Sequence, residues 1–396
     1  KNILNFLSEF TLLEDPVSPM TSVNVTAEFD RKDRQNITLK NQYELEGALF
    51  WMIAEEIKKE EGTLRMIVQP DASVISGILR LCGRTESNVR IDHIICLSDQ
   101  PDKIEDGKLY NLECLKKILP LYNYNYDYNS WYYYGNTSYV DMAFVMFPYM
   151  VLTSEYACML SADIKSGCIT RDKEIIKMLE ERFTSYRKKS RRLVNCISNI
   201  MEQFDVVGTA VSTKFSGYNL QLEPCVMTFL DQEIIEKYLS PQMPNREYFV
   251  KETIAYCKNL SAQNITYIFS MDGLLHFLET GTIRELSPDI YIRPALEDRV
   301  KIIERILHPE GGQKVKILKQ KIGHPETDVN ILVTSEHGLL RVAVPAKNIF
   351  LDMILEESGV LYSFYDFCEN LGNVMFYGQE EAERLVLEHA KMLQCE

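Results

Sequence analysis

The sequence contains no run of about 18 apolar residues, so a transmembrane helix is not expected. Its most apolar stretch, residues 142–152, includes Pro148 and is too short to span a bilayer. The amino terminus lacks both an initiator Met and a signal-type apolar region with a cleavage site. We therefore expect a soluble protein with no membrane partner, and we expect upstream residues to be missing from this chain.

No two of the ten cysteines form a Cys-x-x-Cys pair. Several cysteines lie in apolar runs, as Cys96 does between Ile95 and Leu97. This pattern predicts buried, reduced thiols rather than a disulfide framework, and it predicts a cytoplasmic protein.

Positive charge is also scarce, since 43 Lys and Arg face 57 Asp and Glu, for a formal net charge of −14. A nucleic-acid-binding chain needs a basic footprint. The one basic cluster, residues 187–192, is too small to reverse this balance. It is interpreted either as a solvated helix face or as a local contact with an anion or a partner. Direct nucleic-acid binding by this chain is not expected.

The chain contains none of the common catalytic or nucleotide-binding motifs, such as Gly-x-Gly-x-x-Gly, Gly-x-Ser-x-Gly or His-Glu-x-x-His. His308 and His324 each precede Pro-Glu in loop-like sequence without further ligands at a recognisable spacing. His337 is either an exposed turn residue or a proton-active group. We predict no catalytic residue, no metal site and no cofactor.

The most informative feature is an internal repeat. Thr153-Ser154-Glu155 and Thr334-Ser335-Glu336 each join two apolar runs of β type. Both segments predict hairpins with a polar turn.

A second match places residues 64–68, followed by Asp71, against residues 265–269, followed by Asp272. The interval from 71 to 272 exceeds that from 153 to 334. We assign the excess to an insertion in the first half, at the tyrosine-rich tract 122–139.

The other elements appear in the same order in both halves. A strand at 89–96 and a helix from Leu112 match a strand at 290–292 and a helix from Leu296. Long helices are predicted after each hairpin, at 175–186 and 349–357. The predicted organisation is therefore a lead-in segment (1–20), a first half (21–204) and a second half (205–396).

This order of strand, helix, strand, helix, strand, hairpin and long helix resembles one half of the phospholipase D superfamily. In that family two halves are related by a pseudo-two-fold axis and share an active site. Residues 149–192 also resemble PLD-like domains without catalytic residues, which form effector regions of bacterial helix-turn-helix transcription regulators. The resemblance implies an α/β fold in which each half is a mixed sheet with flanking helices.

The enzymes of that superfamily carry His-x-Lys, four further residues and Asp, which this sequence does not reproduce. With Glu155 at the Asp position, Pro148 and Met150 occupy the His and Lys positions, and a shift by one residue gives Phe147 and Tyr149. In the second half, with Glu336 at the Asp position, Val329 and Ile331 occupy the His and Lys positions. Phosphodiesterase chemistry of this type is excluded, because no nucleophile or phosphate-binding Lys is present.

Four acidic residues are candidate ligand anchors. Asp71 and Asp272 follow predicted strands at their carboxyl ends, where α/β sheets present ligand-binding groups, and either residue could equally cap the next helix. Glu155 and Glu336 belong to the predicted turns, either as turn residues or as ligand contacts.

The tyrosine-rich tract supplies candidate aromatic contacts: Tyr128, Trp131, Tyr132 and Tyr133. Its alternation of Tyr with Asn or Asp fits a half-exposed edge strand. The same side chains suit a ligand pocket or a protein interface, because tyrosine combines apolar area with a hydrogen-bonding hydroxyl. We expect the site between the halves, beside this tract.

These features together predict a non-catalytic effector region of a bacterial transcription regulator, which senses a small molecule and forms a homodimer. Its DNA-binding domain would lie outside this chain. The alternatives are a scaffold or interaction protein, or an enzyme with an unrecognised site. The sequence does not identify the ligand.

Overall fold

The structure is a computed structural model that describes residues 2–10, 35–70, 75, 77, 79, 88–99, 110–124, 126–135, 146–197, 202, 215–243, 245–283, 286, 289–324, 326–344 and 349–395. The chain forms two compact units, which are described separately. The first unit comprises Thr11–Asn195, and the second comprises Cys196–Glu396 together with Ile3–Phe10. The chain begins with α1 (Asn2–Glu9), and this helix belongs to the second unit.

The first unit is built on an eight-stranded mixed sheet with the order β1-β7-β6-β5-β2-β3-β4-β8. Its elements in chain order are β1 (Asn36–Leu39), α2 (Gln42–Ile57), β2 (Thr63–Ile67), β3 (Arg90–Leu97), α3 (Tyr110–Ile118), β4 (Asp127–Tyr134), β5 (Tyr149–Leu152), β6 (Ala157–Leu160), β7 (Gly167–Thr170), α4 (Lys173–Lys189) and β8 (Arg191–Arg192). Strands β2, β3 and β4 are parallel, and the hairpin β5-β6 joins β2 antiparallel.

Helix α4 covers one face of this sheet because its apolar residues recur at helical spacing. Ile176, Leu179 and Phe183 pack onto Ile94 of β3 and Leu152 of β5. The helix begins at Asp172, whose carboxylate accepts the backbone N–H groups of two first-turn residues.

The second unit contains a seven-stranded mixed sheet with the order β12-β11-β10-β13-β14-β15-β9. Its elements are β9 (Val194–Cys196), where the chain passes from one unit to the other, β10 (Ser216–Leu220), α5 (Gln232–Tyr238), α6 (Arg246–Ser261), β11 (Asn264–Ser270), α7 (Met271–Thr280), α8 (Leu296–Leu307), β12 (Lys314–Leu318), β13 (Asp328–Val333), β14 (Gly338–Val344), β15 (Ile349–Leu355), α9 (Ser358–Glu369) and α10 (Gln379–Cys395).

Both units share one topology. Strands β10, β11 and β12 are parallel, and the hairpin β13-β14 joins β10 antiparallel, as β5-β6 joins β2. A third antiparallel strand and then a helix follow each hairpin: β7 and α4 in the first unit, β15 and α9 in the second. The chain is therefore an α/β protein with two similar halves, as the repeat predicted.

The two hairpin turns have the same hydrogen bonds. The hydroxyl of Thr153 accepts hydrogen bonds from the backbone N–H groups of Glu155 and Tyr156. The backbone N–H of Thr153 donates to the Tyr156 carbonyl. Thr334 makes the same three contacts, with the N–H groups of Glu336 and His337 and with the His337 carbonyl. The predicted equivalence of Thr153 and Thr334 is confirmed.

Replacing either threonine by valine should cost about 1 kcal/mol, because two backbone N–H groups lose their acceptor. We expect Thr153→Val and Thr334→Val to have matching effects in thermal unfolding followed by circular dichroism. Thr184→Val on the exposed side of α4, where the hydroxyl donates to the Glu180 carbonyl, is the control and should change stability by less than about 0.5 kcal/mol. A large loss in only one hairpin would contradict equal roles.

The second repeat match was wrong. Strand β2 at residues 63–67 pairs with its hairpin, whereas β11 does not, and β10 is the strand that does. The strand before Asp272 is therefore the counterpart of β3, not of the strand before Asp71. Asp71 itself lies outside the described residues.

Two other predicted elements differ in the structure. Residues 290–292 form only an isolated bridge from Tyr291 to Leu239. Residues 349–357 are mostly strand β15, and the helix begins afterwards at Ser358, capped by the Glu357 carboxylate. The β-branched and aromatic residues at the start of this stretch favour a strand, and apolar spacing alone did not distinguish the two.

The tyrosine-rich tract is not an insertion. Its residues 127–134 form β4, which pairs parallel with β3 along its whole length and with β8 on the other side. Its counterpart in the second unit is β12. The tract follows the ordinary order of the fold, and the difference in spacing came from matching β2 with β11 instead of β10.

The predicted lead-in segment is also corrected over its described residues, 2–10. The Phe6 and Phe10 rings stack with 5.2 Å between centroids, and Phe6 meets the Phe364 ring of α9 edge-on. Both are almost completely buried. Helix α1 is thus part of the second unit's core.

All eight cysteines with described side chains are free, and six of them are buried. Among the described helices, none has the length and apolar character needed to cross a bilayer.

Candidate ligand-binding cleft

The second unit contains an open cleft of about 620 Å³, a volume that includes solvent at its mouth. Its floor is one face of the sheet, formed by β10, β13, β14 and β15. Its walls come from α6 and from the segment around the 3-10 turn Met227–Phe229. All lining residues belong to this one unit.

A row of polar side chains crosses the floor. Asn330 of β13 pairs with Arg341 of β14, and Arg341 pairs with Asp352 of β15. Gln221 extends this row, since it follows Leu220, whose partner in β13 is Ile331. Directly paired residues project on the same face of a sheet, so the four side chains form one polar ladder across the cleft.

The charged end of the ladder is internally neutralised. The Arg341 Nε atom donates to Asp352 Oδ1 at 2.5 Å, and Nη2 donates to Oδ2 at 2.8 Å. This bidentate geometry is the strongest form of an Arg–carboxylate contact. Because Arg341 is only 12% exposed, the pair fixes both side chains and leaves this part of the cleft without net charge.

The centre of the ladder has unmet hydrogen-bonding capacity. The Oδ1 atom of Asn330 is buried and has no hydrogen-bond partner within the described part of the chain. Asn219, two residues before Gln221 on the same face, is 6% exposed and also lines the cleft. Buried amides are nearly always hydrogen-bonded in native proteins, so an unpaired one at a cleft floor indicates a place for a donor.

A second group of this kind lies beside the cleft. The hydroxyls of Tyr267 and Thr228 are buried, and neither has a partner of good geometry among the described residues. Burial raises the pKa of Tyr267 well above its ordinary value, with the neighbouring Cys225 raising it further. The Tyr267 hydroxyl is therefore a neutral donor and acceptor next to the wall residues Cys225 and Tyr256.

The rest of the lining is apolar, with one tyrosine. These residues are Cys225, Met227, Tyr256, Leu260, Leu286, Ile331, Leu332 and Leu339. A cleft with an apolar wall and a few convergent polar groups is the usual form of a small-molecule site. Hydrogen bonds from amides and an internally paired Arg suit a ligand without net charge.

This cleft was not predicted from the sequence. A local signal exists in the alternation of polar residues at one strand, as at Asn219 and Gln221. That alternation equally fits a strand with one solvent-exposed face. Only the cross-strand register brings residues of four strands into one row.

The structure places the predicted acidic anchors at separate positions. Asp272 is exposed in the first turn of α7, whose N-terminus is capped by Ser270 instead. Glu155 is exposed at its hairpin, where it pairs with Lys59 at 2.7 Å. Glu336 is exposed in the other turn. None of the three lines the cleft.

The predicted aromatic residues divide between the two faces of β4. Tyr128 and Tyr132 are buried on one face, where the Tyr128 hydroxyl contacts the ring of the buried His93. Trp131 and Tyr133 lie on the opposite face, packed beside α4. Since successive side chains of a strand alternate, the four cannot line one wall.

No protein-family model matches this chain, and no curated protein sequence does. Among solved structures, it is similar to TrmBL2, an archaeal chromatin protein, with 8% identity over 41% of this chain and 55% of that one. It is also similar to the polyphosphate kinase from Porphyromonas gingivalis, with 11% identity over 90% of this chain and 54% of that one.

A third similar structure is phosphatidylserine synthase of Haemophilus influenzae Rd KW20, with 9% identity over 91% of this chain and 92% of that one. The TM-score is 0.26 in all three cases. This chain spans about half the length of the first two proteins. At this level of similarity none of them carries an argument about what the chain binds, and the assignment of two similar α/β halves comes from the matching sheet topology of the two units.

Proposed function

We propose that this chain is a non-catalytic sensing region of a bacterial transcription regulator and that its effector binds in the cleft of the second unit. The observation that carries the proposal is the polar ladder with the unpaired Oδ1 atom of Asn330 at its centre. A scaffold role would not require a buried, unpaired amide oxygen on the floor of a cleft.

A sensing role rather than catalysis is supported by the residues at the superfamily's catalytic positions. Val329 and Ile331 replace His and Lys in the second half, and both are apolar and buried in β13. Neither can act as a nucleophile or hold a phosphate. The DNA-binding domain would be supplied by another part of the protein, and a homodimer would present two such domains.

The effector class follows from the chemistry of the cleft. Arg341 and Asp352 neutralise each other, so no net charge attracts an ion. Asn330 Oδ1 requires a donor, whereas the apolar wall from Met227 to Leu339 favours carbon surface. An uncharged small molecule with several hydrogen-bonding groups and one apolar side meets these requirements.

The test is a thermal-shift screen of uncharged, hydrogen-bonding metabolites against the wild type and Asn330→Leu. We expect at least one compound to stabilise the wild type and the response to fall tenfold or more in the variant, since a buried hydrogen bond is lost. The Leu variant should keep its own stability, because it removes an unpaired buried group.

The matched control is Asn259→Leu on the exposed face of α6, which should bind like the wild type. Compounds that stabilise wild type and Asn330→Leu equally would place binding elsewhere and contradict the proposal. A screen without any stabilising compound of this class would contradict it too.

A further inference from the structure

A second surface with unmet binding capacity lies in the first unit, where α4 ends beside β3, β4 and β8. Its centre is the Trp131 ring on β4. The guanidinium groups of Arg187, in the last turn of α4, and Arg192, in β8, both lie over this ring, the latter at 5.3 Å from its centroid. Of the basic cluster at residues 187–192, Arg187 and Arg192 thus belong to this surface, and the other basic residues are exposed to solvent.

Arg187 is the unusual member of this group. Its side chain is half-buried, and the flat face of its guanidinium group is stacked on the Trp131 ring. Yet its five N–H donors have no hydrogen-bond acceptor and no ion pair within the described part of the chain. A guanidinium stacked in this way keeps its N–H edge available for an oxyanion.

The surrounding charges are predominantly positive. Arg192 donates to the Asn129 side chain at 2.6 Å and to the Val194 carbonyl, neither of which carries charge. Arg90 contacts Asp92 at 3.3 Å, and Asp92 also accepts the Trp131 indole N–H. Asp127, which pairs with Arg90 across β4 and β3, accepts a hydrogen bond from the Asn129 amide, so three guanidinium groups face two carboxylates in a protein whose formal net charge is −14.

The charges around Arg187 also favour binding of an anion. Burial lowers the pKa of Arg187, the nearby Arg192 and Arg90 lower it further, and Asp92 raises it. The folded chain therefore holds like charges together at a cost, and a bound anion would remove that cost. Stacking on Trp131 explains why Arg187 is held there, but it leaves the N–H edge and the excess charge unused.

We propose that Arg187, Arg192 and Arg90 form an oxyanion site for a phosphate group, either inorganic phosphate or a phosphate monoester. Phosphate fits better than a carboxylate, because it carries up to two negative charges and several acceptor oxygens for a set of forked donors. The site is separate from the cleft of the second unit and does not depend on an effector there.

The protein contains two tryptophans, and this provides a direct probe. In Trp51→Phe, Trp131 is the single fluorescent indole, so its emission should change saturably as inorganic phosphate is added at constant ionic strength. Arg187→Gln should weaken phosphate binding tenfold or more, because a charge-assisted hydrogen bond is lost. Arg191→Gln is the matched control, since it removes the same charge from an exposed neighbour outside the stack.

Isothermal calorimetry with inorganic phosphate and with glycerol phosphate distinguishes free phosphate from a monoester as the preferred ligand. Circular dichroism is the check that Arg187→Gln is folded, and Arg192→Gln provides a second variant with the same expected loss. An equal fluorescence change with chloride, or equal weakening by Arg187→Gln and Arg191→Gln, would overturn the site and reduce the effect to ionic screening.

Discussion

Replacing Phe6 by alanine is expected to destabilise the second unit by about 3–5 kcal/mol, the usual cost of removing a fully buried phenyl ring. Phe6 has no exposed surface, stacks on Phe10 and meets Phe364 edge-on at 5.5 Å between centroids. The His324 N–H also donates to the Leu7 carbonyl, so the backbone of α1 is tied to the same unit. Neighbouring side chains cannot move in to fill the cavity left by the ring, because α1 is held in place by these ring contacts and by this hydrogen bond.

The measurement is hydrogen exchange followed by mass spectrometry. Protection should fall in strands of the second sheet, such as β10 and β13, and should change little in β2 and β3 of the first. Leu4→Ala on the same helix is the control, since Leu4 is 37% exposed and should cost under about 1 kcal/mol. Equal losses for Phe6→Ala and Leu4→Ala would show that α1 is not part of this core.

Acidification from pH 7 to pH 4 is expected to cost the first unit about 3 kcal/mol through one residue, His93. This side chain is buried in β3, and burial lowers its pKa to about 4 from an ordinary 6.5. Its Nε2 atom donates to the Val68 carbonyl, and its Nδ1 atom accepts from the Tyr128 hydroxyl, so the folded unit requires the neutral ring.

The loss of stability on acidification follows from the difference in proton uptake between the unfolded and the folded chain. The unfolded chain binds a proton at His93 below about pH 6.5, whereas the folded chain does so only below about pH 4. The contribution of the neutral ring is therefore complete above pH 6.5 and is lost progressively as the pH falls to 4. Below that, no further loss arises from this residue.

Urea unfolding at several pH values tests this expectation. The paired variant His93→Phe with Tyr128→Phe replaces both partners by apolar groups, so it should have a smaller pH dependence between 6.5 and 4 than the wild type. His337→Gln, at an exposed hairpin tip, should keep the wild-type dependence. An unchanged pH slope in the paired variant would assign acid sensitivity to other groups.

Much of the fold could be predicted from local sequence, because the relevant interactions are local. A threonine followed by two polar residues closes its own hairpin, so Thr153 and Thr334 were identified as equivalent without coordinates. The periodic apolar residues of α4 likewise predict which helix face is buried, as Ile176 and Phe183 confirm. Such features depend on neighbours within a few residues.

Tertiary structure decided which strands are partners. Strand β11 is closer to β2 in apolar composition than β10 is, and only the pairing of β10 with β13 shows that β11 is not the counterpart of β2. The same applies to β4, whose tyrosines suggested an insertion with a half-exposed edge strand, although β4 lies between β3 and the short strand β8. Backbone hydrogen bonds between strands do not depend on residue type, so the composition of a strand does not show which strand it pairs with.

The candidate cleft depended on tertiary structure most of all. Asn330, Arg341 and Asp352 come from three strands and Gln221 directly follows a fourth, and each residue alone has the appearance of an ordinary polar position. The sequence by itself determined two diverged α/β halves, their hairpin turns and the absence of a His-x-Lys motif. The binding surfaces were decided by sheet register and helix docking, because these bring together side chains that are distant along the chain.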